Sequence, residues 1–112
     1  NYLGLLFESL VERDLYSYCD SIDAKLYHYQ DYKNRERDAV IELDDGTYCG
    51  IEIKLGANQI EEAAKNLVKI NDSIKKEGGI PAKSLCVICG LTNAAYRRKD
   101  GVYVVPITSL RP

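Results

Sequence analysis

Apolar residues return every three or four positions at the start of the chain, at Leu3, Leu6, Phe7, Leu10 and Val11. That spacing predicts an amphipathic helix over about residues 3–19. The period then shortens to two. Lys25-Leu26-Tyr27-His28-Tyr29-Gln30 predicts a first strand at about 25–30; a polar loop with Lys33-Asn34 leads to a second at about 36–43, and a third follows at about 47–55. Gly56 breaks the run, Asn58 with Glu61 has the pattern of a capping box, and Ile60, Ala63, Ala64, Leu67, Asn71 and Ile74 trace the inward stripe of a second helix to about residue 76. Gly78-Gly79 and Pro81 end it. A fourth strand, about 84–90, is expected parallel to the third, because a strand-helix-strand passage of this length makes a right-handed crossover. Ala94 to Arg98 and Val102 to Pro106 about Asp100-Gly101 predict a closing hairpin. The class is α/β: helix, three antiparallel strands, helix, parallel strand, then a C-terminal hairpin.

The turn between the second and third strands sets their register. Asp44-Asp45-Gly46 reads as a three-residue loop, a type I turn followed by glycine in the left-handed conformation. Val40 then faces Gly50, Ile41 faces Cys49 and Asp38 faces Glu52, each pair sharing one side of the sheet. A two-residue loop would instead set Asp38 against Ile53 and put an acid on the apolar face. On the third strand Ile51, Ile53 and Leu55 form the core side, and Gly50, Glu52 and Lys54 the other.

With 112 residues, 46% of them apolar, the chain has the size and material for one core and one domain. No apolar run approaches membrane-spanning length and nothing resembles a signal peptide, so a cytoplasmic domain is expected. The chain opens at Asn1 and enters the helical pattern at once, which suggests a piece excised from a longer protein. The net charge of −2 gives no global basic field and weighs against nucleic-acid binding. Cys86 and Cys89 spell C-x-x-C, but three positions apart on a strand they point to opposite faces with alpha carbons roughly 10 Å apart. That exceeds disulfide reach. A single histidine, His28, cannot complete a tetrahedral zinc site, and the four cysteines read as buried structural thiols.

Asp38, Glu52 and Lys54 are the candidate chemistry. Two adjacent carboxylates suit a hard divalent cation, Mg2+ or Mn2+, and an ammonium beside them steadies the charge that develops on a phosphodiester. The structural alternatives are a solvated acid at Asp38, which shares its strand face with Glu36, Val40 and Glu42, and an ion pair between Lys54 and Glu36 in the same register. Glu8 is a fourth candidate, a carboxylate with Gly4, Leu5 and Val11 around it at helical spacing. Gln59 opens the second helix. Lys33, Arg35 and Arg37, and Arg97-Arg98-Lys99, are the basic clusters; they either solubilise turns and edges or grip phosphates. The nine tyrosines crowd towards the first strand and helix, where packing accounts for most of them and base stacking is open.

This order of elements, with Arg37-Asp38 on the second strand and Glu52-Ile53-Lys54 on the third, resembles the core of the PD-(D/E)XK nuclease superfamily, whose fold is restriction-endonuclease-like. The running text Gly4-Leu5-Leu6-Phe7-Glu8, Asp38-Ala39-Val40, Ile51 to Gly56 and Asp100 to Ile107 looks like the domain of unknown function found C-terminal to an AAA+-type ATPase module in bacterial and archaeal proteins. Arg37 stands where the superfamily's name has proline, at a position that is not a ligand. The resemblance implies metal binding by Asp38, Glu52 and the Ile53 carbonyl, catalytic roles for Lys54 and Glu8, DNA as substrate with Arg35, Arg37, Arg97 and Arg98 along it, and an N-terminal ATPase as partner. The rival expectation is a catalytically inactive DNA- or protein-binding module that regulates that ATPase.

Overall fold

Strand and helix periods give way to one another along the chain much as the pattern of apolar positions predicts. The computed structural model describes residues 2–30, 36–92 and 94–110; the side chains of 2–9, 12, 28–30, 36–38 and 110 lie outside the described set. Helix α1 spans Tyr2–Ser21, and strands β1 (Lys25–Gln30), β2 (Glu36–Glu42) and β3 (Tyr48–Lys54) follow. A 3-10 turn, Ala57–Gln59, leads into helix α2 (Ile60–Lys76); β4 (Ser84–Cys89), β5 (Tyr96–Arg97), β6 (Tyr103–Pro106) and a 3-10 turn, Ile107–Leu110, complete the chain. The strands form one six-stranded mixed sheet in the order β1-β2-β3-β4-β6-β5. β1, β2 and β3 pair antiparallel, while β4 is parallel to both β3 and β6. Among the described residues no helix is long and apolar enough to cross a membrane.

The register of β2 and β3 is the one that the turn predicts: Val40 pairs with Gly50 and Ile41 with Cys49. Leu43 and Thr47 close a three-residue loop, with the Leu43 N–H on the Thr47 carbonyl at 2.9 Å and the Gly46 N–H on the Leu43 carbonyl at 3.0 Å. Gly46 has φ +84°, a left-handed conformation that costs a residue with a Cβ. The closing hairpin repeats this geometry. Arg98 and Val102 close its loop, Gly101 sits at φ +90°, and Asp100, like Asp45, accepts from the backbone N–H two residues on.

Alternation on the central strands sends side chains to two cores. Val11, Leu15, Ala39, Ile51, Ile53 and Ile88 pack on the α1 side. On the other face α2 lays Ile60, Ala63, Ala64 and Leu67 over Val87, Cys89, Val102 and Val104. Cys86 belongs to the first of these faces and Cys89 to the second, and both are free thiols.

Three expectations need correction. The helix entry is not capped by Asn58 and Glu61: the Gly56 N–H donates to Gln59 Oε1 at 3.1 Å, and Glu61 pairs with Lys65 one turn on at 3.4 Å. Asn71 is half-buried at the edge of the stripe and Ile70 takes the inward place, because the Asn71 amide brackets the backbone of Ala82, accepting from its N–H at 2.7 Å. The closing hairpin is also shorter than expected, with β5 reduced to Tyr96–Arg97.

Candidate active site

β3 is central, flanked by β2 and β4 and covered by a helix on each face, so a polar side chain on it needs a partner or a cleft. Glu52 has both. At 7% exposure it is the buried charged residue among the described residues. From α2 the Asn66 amide donates to Glu52 Oε1 at 3.2 Å. Ile51 and Ile53 point into the α1-side core, so Gly50, Glu52 and Lys54 share the face on which α2 lies.

Glu52 and Lys54 stand in an open cleft of about 540 Å³ whose α2 side carries Gln59, Glu62, Asn66 and Lys69. Lys54 is half-buried and makes no ion pair among the described residues. Gln59 caps the helix entry while lining the cleft. The β2–β3 pairing runs as far as Ala39 with Ile51, and at this point β2 is irregular against β1, where Tyr27 pairs with Val40 but Tyr29 with Arg37, so the facing of Asp38 and Glu52 stays an expectation.

The other candidates are placed as follows. The backbones of Glu8, Arg37 and Asp38 lie in α1 and β2, with their side chains outside the described set; Arg35 lies outside it altogether. The Ile53 side chain is 1% exposed in the α1-side core. Arg97 and Arg98 are carried away from the cleft: β5 is the far edge, three places from β3, or about 14 Å across the sheet. There the Arg97 guanidinium lies 5.1 Å from the centroid of the Tyr103 ring, and Arg98 Nε holds Asp100 at 3.3 Å.

Glu62 and Asn66 did not emerge from the sequence. Their spacing of four puts them on one flank of α2, a signal that is legible, but which flank meets β3 depends on how the helix crosses the sheet. Glu52 and Glu62 both line the cleft, and carboxylate oxygens are hard donors of the sort that magnesium and manganese take. Among the described residues no group of three or more His, Cys, Asp or Glu comes together.

Residues 3–110 match the family model described as "Domain of unknown function (DUF4143)". Neither a search of curated proteins nor one of solved structures finds a match.

Proposed function

The chain belongs to the DUF4143 family, whose domains are commonly found after AAA ATPase domains, and on that premise we propose that it is a metal-dependent nuclease-like domain acting on DNA phosphodiesters, C-terminal to such an ATPase. The observation that carries this reading is a buried glutamate beside a lysine on a central strand at the wall of a cleft, with Asp38 on the neighbouring strand β2. The order of elements, with β4 parallel to β3 after α2, supports a restriction-endonuclease-like core.

Asp38 and Glu52, with the Ile53 carbonyl, would hold Mg2+ or Mn2+. When bound, the cation supplies Lewis-acid polarisation of a phosphoryl oxygen and lowers the pKa of water. The Lys54 ammonium stabilises negative charge growing on phosphorus. Asn66 orients the Glu52 carboxylate, since a hydrogen bond to one oxygen limits rotation of the group. Glu8 belongs to α1, the helix on the sheet face opposite to that of Glu52.

One observation favours a second reading, a catalytically inactive DNA- or protein-binding module that regulates the ATPase: the bond from Asn66 gives Glu52 a structural duty, locking α2 to the sheet. Cleavage of linear, nicked and branched DNA with manganese separates the two. The nuclease reading expects cutting by the parent and none by Asp38→Asn or Glu52→Gln, together with a manganese-induced rise in melting temperature that Asp38→Asn abolishes. Robust cleavage by Glu52→Gln would defeat it, and a parent that cuts nothing while its deletion changes ATPase turnover would establish the module.

A further inference from the structure

The cleft does not end at Lys69. A second groove, of about 650 Å³, runs between α2 and the β5–β6 hairpin and is lined by Lys65, Lys69, Asp72, Ser73, Lys76 and Asp100, with the half-buried Val68 in it. Lys65 and Lys69 line both spaces, so the two adjoin along α2. At 100° per residue, Lys65, Lys69 and Lys76 fall within about 40° of the helix circumference and make a single stripe roughly 16 Å long. That is about the rise of five stacked nucleotides.

The charge of this groove departs from that of the whole chain. Asp100 is already held by Arg98 and by the Val102 N–H, and the Lys65–Glu61 pair is mostly exposed and holds its lysine weakly. Three ammonium groups therefore face one carboxylate, Asp72, that has no cationic partner among the described residues. The volume is that of a small-ligand pocket, room for one strand and not a duplex. Cations thus lie in a row leading away from the acids of the cleft, which is the distribution that a phosphodiester backbone needs if one phosphate is to reach Glu52 and Lys54 while its neighbours are held.

We propose that Lys65, Lys69 and Lys76 form a track for the phosphates of a single nucleic-acid strand that enters the cleft along α2. The proposal rests on the nuclease reading for what happens at the end of the track, but binding is separable from cutting. Anisotropy of a fluorescein-labelled single-stranded oligothymidylate, titrated with the full chain in EDTA over a range of salt, tests it. The parent is expected to bind. The triple variant Lys65→Gln, Lys69→Gln, Lys76→Gln should bind roughly a hundredfold more weakly at about 0.1 M salt, with the log–log salt slope shallower by about 2. Lys69→Gln alone should flatten the slope by about 0.7, which keeps the test intact if the triple variant misfolds. Lys75→Gln, off the stripe, should bind as the parent does. Unchanged affinity and slope in the lysine variants, tighter binding of a duplex, or equal displacement by polyglutamate would overturn the track. Lysine-dependent binding without cleavage sinks only the nuclease reading; cleavage with lysine-independent binding sinks only the track.

Discussion

The side-chain amide of Asn66 donates to Oε1 of Glu52 across 3.2 Å, joining the helix over the sheet to the buried acid of the central strand. A buried carboxylate that loses a donor keeps the cost of desolvation without the compensating bond. Asn66→Ala is therefore expected to lower stability by about 1–3 kcal/mol, read as a shift of the urea midpoint with an unchanged slope. Asn66→Asp, which sets one carboxylate against another, should cost more. Parental midpoints for both variants would show that the bond carries no weight.

Lys54 is expected to act on developing charge and not on metal retention. Lys54→Ala should keep the manganese-induced rise in melting temperature and lose about 10²- to 10³-fold in DNA cleavage, the scale of removing one charge-stabilising donor. A variant that cuts as fast as the parent would confine Lys54 to a structural part.

Burial, with the neighbouring Cys49 adding to it, pushes the Cys86 thiol up from 9.0 to about 12. The unfolded chain ionises this thiol first, so the native state holds its advantage below about 9 and loses it as the pH rises towards about 12. Urea midpoints measured across that range should fall, and Cys86→Ala should fall less steeply. Identical slopes for the two proteins would remove Cys86 from the alkaline transition.

The first hairpin predicts an acid-side effect of opposite sign. The Thr47 hydroxyl, at 2.6 Å, and the Thr47 N–H, at 3.0 Å, hold the Asp45 carboxyl below its ordinary value of 3.8. A lowered native value stabilises the fold above about 3.8, and that contribution disappears as the pH falls through the native value. Asp45→Asn should therefore be less stable than the parent at neutral pH, the two converging in acid. Gly46→Ala, at φ +84°, should cost about 1 kcal/mol at every pH. A constant gap between Asp45→Asn and the parent down to low pH would overturn the linkage.

The β2–β3 hairpin was legible because its information is local. A three-residue turn and period-two alternation determine which residues face one another, and Val40 with Gly50 obeys both. The same locality makes α2 and the opposite faces of Cys86 and Cys89 legible in the sequence. Tertiary structure decided what no local period encodes. Insertion of β6 between β4 and β5 carried Arg97 and Arg98 to the far edge. The way α2 lies across the sheet chose Asn66 and Glu62 for the cleft, and lined Lys65 and Lys69 along both grooves. Periodicity tells a side chain which face of its own element it occupies; which partner that face meets depends on the packing of elements distant in sequence, and that packing brought Asn66 to Glu52.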